Sequence, residues 1–163
     1  MPRDYAQAAN WFRMAAQRGH ARAQCYLGIC YEVGLGVPQD DGEAVDWYRK
    51  GAEQGNAMAQ FYLGTCYNAG NGVPQDYAQA VRWYRKAAEQ GEASAQADLG
   101  WYYFYGTGVP KNSVVACKWF RLAAEQGHSG AKEQLASLSA VMSPAEVAES
   151  QRLFEEYSKR KQS

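Results

Sequence analysis

The residues best suited to metal or redox chemistry are the four cysteines, which are Cys25, Cys30, Cys66 and Cys117. They form no CxxC pair and no CxxC followed by HxxxH, the spacings that dithiol and zinc sites need. If residues 21–33 form a helix, Cys25 and Cys30 lie about 140° apart around its axis and cannot form a disulfide. We therefore expect free thiols, no metal and no cofactor.

Phosphate binding and acid-base catalysis are the next candidates. The segments GLGVP, GNGVP and GTGVP each contain a GxG, but they lack the third glycine of a dinucleotide fingerprint and the GK[ST] of a phosphate loop. They also follow predicted helices rather than strands, so we interpret them as turns. His20 and His128 lie far apart near predicted helix starts, and no set of serine, histidine and acid is indicated. The prediction is a protein that is not an enzyme.

The composition further restricts the class of protein to which the chain can belong. The chain has 163 residues, and 47% of them are hydrophobic, which is enough for a folded core. Lys plus Arg and Asp plus Glu number 17 each, so no net charge attracts nucleic acid or an anionic membrane. No apolar run approaches the ~20 residues of a membrane span, and residues 1–10 do not resemble a signal peptide. The compartment stays open: cytoplasm by default, or periplasm or exterior if a signal peptide precedes Met1.

An internal repeat dominates the sequence. Four glycines recur at a spacing of 36 residues, namely Gly19, Gly55, Gly91 and Gly127. The same period returns in the tryptophans Trp11, Trp47, Trp83 and Trp119 and in the prolines Pro38, Pro74 and Pro110. Because several residue types share the same 36-residue spacing, we predict a chain built from copies of one supersecondary unit.

Each unit is predicted to be a pair of helices separated by the GxGVP segment. In residues 55–90, the repeated residues of the first helix follow the i, i+3, i+4, i+7 spacing of one face. On this inward face, Gly64 allows a neighbouring helix to approach closely. Gly70 suits the left-handed conformation that ends a helix, and Pro74 prevents the helix from continuing.

The second helix of each unit carries an N-terminal capping signal. Asp76 can accept hydrogen bonds from first-turn amides, and Gln79 three residues later completes a capping-box pattern. The pattern also occurs at Asp4 and Asp40, whereas Asn112 keeps the cap without the reciprocal partner. We therefore predict an all-α fold of successive helix pairs.

The pattern AxxxLGxxYxxGxGVxxDxxxAxxWYxxAAxQG returns with few departures in residues 21–55, 57–91 and 93–127. It resembles the Sel-1-like repeat, a relative of the tetratricopeptide repeat. The resemblance implies an α-α superhelix, a right-handed solenoid of antiparallel helix pairs. It also implies a protein-interaction scaffold of the kind found in bacterial signalling, cell-envelope and host-contact systems and in eukaryotic endoplasmic reticulum quality control. We therefore expect a protein or peptide partner.

The period predicts a single solenoid domain over residues 1–163. Its parts are a half repeat at 1–18, full repeats at 19–54, 55–90 and 91–126, a partial repeat at 127–142 and a C-terminal capping helix at 143–161. Either the natural chain extends upstream of the half repeat, which we favour, or another chain completes this edge. A terminal unit without a polar cap exposes apolar surface, so Trp11 or Phe12 is expected to promote self-association.

The C-terminal helix has a strong start signal, with Ser143 as the cap, Pro144 at the first position and Glu146 at the third. A narrow apolar stripe among charged residues suits a helix that covers the end of the array; the stripe consists of Val147, Phe154 and Tyr157. The alternative is a tail that binds a partner.

Positions that vary between units can carry specificity. On the first helices, the variable positions opposite the inward face are spaced i, i+4, i+7, i+11, and the resemblance implies that this side lines a concave groove. This first-helix row consists of Arg22, Tyr26, Ile29 and Val33, then Met58, Tyr62, Thr65 and Ala69, then Ser94, Asp98, Trp101 and Tyr105. Tyrosine and tryptophan dominate binding hot spots, so the row is predicted to hold a partner peptide or helix. The alternative is that these aromatic side chains only pack against each other.

The leading hypothesis is therefore a non-catalytic scaffold that binds a partner in the groove. A second hypothesis is a self-assembling structural array formed through residues 1–18. A remote third is an enzyme, because some cysteine-rich members of the family bind or hydrolyse β-lactams. Those members carry a disulfide in each helix pair, whereas these cysteines are not spaced as pairs.

Overall fold

The computed structural model describes the backbone of residues 2–162 and the side chains of residues 4–161. Within this range the chain forms nine α-helices and no strand. They are α1 Pro2–Gln17, α2 Ala21–Val33, α3 Asp41–Glu53, α4 Ala57–Ala69, α5 Tyr77–Gln90, α6 Ala93–Tyr105, α7 Ser113–Glu125, α8 Ser129–Val141 and α9 Pro144–Gln162. The prediction of an all-α fold of helix pairs is confirmed. The helices form two compact units, unit 1 (Met1–Ala87) and unit 2 (Ala88–Ser163).

The turn inside each helix pair depends on two glycines. The first helices end at Gly34, Gly70 and Gly106, which have φ of 69°, 75° and 77° and donate their N–H groups to carbonyls four residues back. This left-handed conformation is unfavourable for residues with a side chain. The second glycine lies against main chain, since a Cβ at Gly36 or Gly72 would be 2.2 Å from a backbone oxygen. The interpretation of the GxGVP segments as turns is confirmed.

The second helices begin at the predicted caps. The side chains of Asp40, Asp76 and Asn112 each accept from the amide three residues on, at 3.0 Å. The predicted start at Asp4 is wrong, because α1 begins at Pro2. Proline suits the first helical position, and Asp4 then lies in the first turn, where its charge complements the helix dipole.

Small and large side chains interlock within each pair. A Cβ on Gly64 would lie 2.9 Å from the ring of Tyr84 in the following second helix, and one on Gly100 would lie 2.7 Å from the Phe120 ring. Gly28 faces its own second helix in the same way. The predicted close approach at this repeated glycine is confirmed.

A buried glutamine joins each first helix to the end of the helix before it. Its Nε2 donates to the carbonyl eight residues upstream, at 3.1 to 3.2 Å. The three pairs are Gln24 with Ala16, Gln60 with Ala52 and Gln96 with Ala88. The last carbonyls of a helix have no partner within that helix, so these amides satisfy acceptors that would otherwise be buried without a hydrogen bond.

In unit 1 the core lies between α2, α3 and α4 and includes Val45, Tyr48 and Leu63. The Tyr48 hydroxyl donates to the Glu32 carboxylate. Burial, followed by this hydrogen bond, raises the pKa of Tyr48, which therefore stays protonated.

In unit 2 the core includes Phe120 and Leu138, and α9 packs along α7. The predicted start of α9 is confirmed: the Ser143 amide donates to the Glu146 carboxylate at 2.8 Å, and the Glu146 amide donates to the Ser143 hydroxyl at 3.3 Å. Of the predicted stripe, Tyr157 is buried, while Val147 and Phe154 are half-buried.

Candidate partner-binding surface

The first-helix row begins on α2 in unit 1. Arg22 is exposed, and its guanidinium donates to the Tyr26 hydroxyl at 3.1 and 3.3 Å. The Tyr26 ring stacks on Phe12 of α1, with ring centroids 5.1 Å apart. Ile29 packs against the unit 1 core, while Val33 is exposed. On this helix the two ends of the row reach solvent and the middle is held by packing.

On α4 the row is divided in the same way. Met58 is 40% exposed. The Tyr62 ring stacks on Tyr48 of the core, with centroids 5.2 Å apart and an interplanar angle of 13°. Thr65 accepts a hydrogen bond from the Tyr84 hydroxyl at 3.2 Å. Tyr62 and Thr65 are thus fixed by the fold, and Met58 is the large side chain that α4 presents to solvent.

On α6, in unit 2, two aromatic residues of the row lie together. Trp101 is half-buried and meets the Phe120 ring edge to face, with centroids 5.4 Å apart. The Tyr105 ring stacks on Trp101, with centroids 5.4 Å apart and planes within 8°. Tyr105 is 66% exposed. Trp101 is therefore anchored in the core and supports Tyr105 at the surface.

Asp98, one turn before Trp101, is half-buried. Burial raises the pKa of this carboxyl to about 6, the His128 imidazole opposes that rise, and Glu92 adds to it. The charge of Asp98 therefore changes near neutral pH. A partner that contacts Asp98 would meet a carboxylate above this pKa and a neutral carboxyl group below it.

The two residues predicted to promote self-association differ in exposure. Trp11 is 63% exposed, and Met14 on the next turn of α1 is also exposed. Phe12 is half-buried, stacks on Tyr26 and packs against Ala16 and its neighbours. Only Trp11 of the predicted pair therefore presents its ring to solvent.

All four cysteines are buried and free. Burial, with a smaller contribution from the Glu32 carboxylate, raises the pKa of the Cys25 and Cys66 thiols to about 12. Protonated thiols are poor nucleophiles and poor metal ligands. In the part of the chain that the structure describes, no three His, Cys, Asp or Glu side chains come together to hold a metal ion. Over the same residues, every helix falls short of the length and hydropathy of a membrane span.

The second helices carry a further surface that the sequence analysis did not identify. The Lys50 ammonium lies over the Trp47 ring, 3.9 Å from its centroid, and the Lys86 ammonium lies 4.4 Å from the centroid of Trp83. A WxxK sequence, present in the repeats at 19–54 and 55–90, could have revealed this surface. On α7 this lysine position is taken by Leu122, and the ammonium over the Trp119 ring is that of Lys118, 3.9 Å from its centroid.

The 36-residue repeat and the helix pairs can now be compared with known protein families. The model of the Sel1 repeat matches residues 1–20, 21–56, 57–92 and 93–128. The chain belongs to the Sel1 repeat family. The matched Sel1 repeats begin at the first residues of α2, α4 and α6, two positions after the predicted boundaries, and keep the predicted period.

Several solved structures are similar to this Sel1 repeat chain. One is c5321, a protective antigen of uropathogenic Escherichia coli with an SLR fold, with a TM-score of 0.82 and 37% identity over 96% of this chain and 34% of that chain. Another is a Sel1 repeat protein from Oxalobacter formigenes, with a TM-score of 0.73 and 36% identity over 82% of this chain and 58% of that chain. The Sel1 repeat chain thus spans about a third and somewhat over half of these two proteins.

Cysteine rich protein B of Helicobacter pylori shares the fold, with a TM-score of 0.66 and 23% identity over 83% of this chain and 97% of that chain. Comparison with curated proteins gives no match. Sel1 repeats commonly mediate protein-protein interaction, and their fold is typically a non-catalytic scaffold.

Proposed function

We propose that this chain is a Sel1 repeat scaffold that binds a peptide or helical segment of a partner protein on its first-helix row. The observation that carries the proposal is the stacked pair on α6, where Trp101 is anchored on Phe120 and Tyr105 is 66% exposed. An aromatic ring that is fixed in orientation yet exposed loses little entropy when a partner covers it.

The part of the row that lies in unit 1 offers contacts of other kinds. Met58 offers a flexible apolar side chain, which adapts to the shape of a partner. Arg22 offers a cation that is oriented by Tyr26. Ile29, Tyr62 and Thr65 are held against the unit 1 core, by packing, by ring stacking on Tyr48 and by a hydrogen bond from Tyr84 respectively.

Peptides selected from a random library on the immobilised full chain test the proposal. We expect Tyr105→Ala to weaken binding of the selected peptides by at least about tenfold, since loss of a hot-spot aromatic costs about 2 kcal/mol or more. Met58→Ala and Arg22→Ala test the part of the row in unit 1 separately and should each weaken peptide binding there by a smaller factor. The unfolding temperature should stay close to that of the wild type, because these side chains are exposed.

The matched control is Tyr5→Ala, which removes an exposed tyrosine from α1 outside the row. Tyr62→Ala and Trp101→Ala are poor tests, because they also remove contacts with Tyr48 and Phe120. A library that yields no binder, or binders that tolerate Tyr105→Ala as well as they tolerate Tyr5→Ala, would contradict the proposal.

The second candidate function is self-assembly through α1, which the exposure of Trp11 and Met14 favours. Sedimentation velocity over a hundredfold range of concentration should then show oligomers of the wild type and fewer of Trp11→Ala. A chain that stays monomeric over the whole range excludes this function at those concentrations.

A further inference from the structure

A cavity of about 290 Å³ lies between the last turn of α5, α7 and α9. This volume is close to the smallest that hold small molecules in proteins. All of the lining residues belong to unit 2, and they are Glu89, Lys118, Trp119, Tyr157, Arg160 and Lys161. Three of these side chains carry a positive charge and one carries a negative charge.

The two aromatic residues of the cavity are fixed by the fold. Trp119 and Tyr157 are both buried, and their rings meet edge to face with centroids 5.7 Å apart. The Tyr157 hydroxyl donates to the carbonyls of Ala88 and Glu89 at 2.9 and 3.0 Å. These contacts join α9 to α7 and to the end of α5, so the cavity is a preformed part of unit 2.

The cations of the cavity come from two helices. On α7 the half-buried Lys118 places its ammonium 3.9 Å from the Trp119 centroid and 5.7 Å from that of Tyr157. On α9, Arg160 is exposed at the mouth of the cavity. Burial raises the pKa of the Tyr157 hydroxyl, Glu89 adds to the rise and Arg160 opposes it, so both charges act at this ring.

The positive charge exceeds what the cavity itself neutralises. Glu89 offsets one of the three cations, and the negative end of the α5 dipole offsets about half a charge more. Lys161 lies at that helix end, 3.5 Å from the position of a Cβ on Gly91. The aromatic rings attract the Lys118 ammonium but carry no net charge. The adjoining surface adds one charge of each sign, from Glu156 and Lys159. A net charge of about +1.5 therefore stays on the cavity.

We propose that this cavity binds a small anion with at least two negative charges, of the polycarboxylate or phosphate class. Carboxylate and phosphate oxygens accept charge-assisted hydrogen bonds from both guanidinium and ammonium groups, and Arg160 supplies the fork geometry that suits them. An anion in this place bridges Lys118 of α7 to Arg160 and Lys161 of α9. It therefore holds the C-terminal helix on the array.

Isothermal titration calorimetry on the full chain tests the proposal, with sodium pyrophosphate and citrate as separate probes at pH 7 and constant ionic strength. We expect at least one of them to bind, and the one that binds more tightly identifies the class of anion. Acetate, which has one charge, is the ligand control and should bind at least about tenfold more weakly, because one charge leaves most of the cavity's charge unpaired.

Variants assign the binding to the cavity. Lys118→Gln and Arg160→Gln should each weaken binding of the tighter probe at least about fivefold. The matched control is Lys111→Gln in the same unit, whose ammonium also lies over an aromatic ring, 5.7 Å from the Phe104 centroid, but outside the cavity. Glu89→Gln should instead tighten binding by about two- to fivefold, because it removes a like charge, and a gain of this kind does not arise from unfolding.

Four results would overturn the proposal: no binding of either probe, acetate binding as tightly as the better probe, Lys118→Gln and Arg160→Gln binding as tightly as the Lys111→Gln control, or weaker binding by Glu89→Gln. These readouts do not depend on the first-helix row. Tyr105→Ala should leave binding of the anion unchanged, so this proposal and the proposed function can fail separately.

Discussion

Replacing Gly100 with alanine tests how the repeated helix pairs are held together. A Cβ at this position would lie 2.7 Å from two carbons of the Phe120 ring, and Phe120 is fully buried, so the ring has little room to move. Overpacking costs about 1–3 kcal/mol, and a fully buried ring places this clash in the upper part of that range, at about 2–3 kcal/mol. Alanine in place of glycine returns about 1 kcal/mol of helix propensity. We expect a net loss of about 1–2 kcal/mol in the free energy of unfolding.

Urea unfolding followed by circular dichroism measures this loss as a lower midpoint with an unchanged slope. In a thermal scan the same loss lowers the unfolding temperature by about 2–8 °C for a chain of this size. The control is Gly130→Ala on α8, where the nearest atom to the new Cβ is 3.6 Å away. That substitution should raise stability by up to about 1 kcal/mol.

A double-mutant cycle identifies the ring as the cause. In a Phe120→Leu background the clash is removed, so Gly100→Ala should become neutral or stabilising, with a coupling of about 1–3 kcal/mol between the two positions. If Gly100→Ala is as stable as the wild type, or is equally destabilising in both backgrounds, the close approach of α6 and α7 does not depend on this glycine and the packing argument is wrong.

Two further predictions concern unit 2. Burial raises the pKa of Asp98 in the folded state to about 6, from 3.8 for an aspartate in water. The stability that its protonated form contributes is therefore present below pH ~4 and is lost as the pH rises through about 6. Asp98→Asn should therefore be more stable than the wild type at pH 7, by about 2 kcal/mol, and equal to it near pH 4; a difference in urea midpoint that does not vary with pH refutes this. Ser150→Ala should raise the free energy of unfolding by about 1 kcal/mol, because it removes a buried hydroxyl without a hydrogen bond. The control Ser137→Ala, which removes an exposed and hydrogen-bonded hydroxyl, should raise it by less. A loss of stability in Ser150→Ala would contradict the packing of α9.

The period allowed most of the helix pairs to be predicted from the sequence. Because identical residues at a fixed spacing occupy equivalent surroundings, Gly70 could be assigned to a turn and Asp76 to a helix cap from the sequence alone. Asp4 shows the limit of that reasoning. A proline two residues earlier begins the helix there.

The candidate surfaces were harder to predict, because the sequence places a residue on a helix face but does not fix its rotamer. Tyr62 and Tyr105 occupy the same side of their helices, yet one ring stacks on the core and the other projects into solvent. The sequence predicted that α9 covers the end of the array but not that it packs on α7, since a helix without copies has no equivalent position in another repeat to compare. The change from Lys50 and Lys86 to Leu122 was the available clue to where it packs.

The buried glutamines make the junctions between successive helix pairs chemically interchangeable. Gln24 and Gln60 reach the same acceptor, eight residues back, across linkers of equal length. A segment of 36 residues cut at two such junctions would bring together ends that can remake the same hydrogen bond. One inserted residue in the linker would instead rotate the amide away from its carbonyl. We therefore expect gain or loss of whole 36-residue units to be tolerated at these junctions, and a single-residue insertion in the linker to be destabilising.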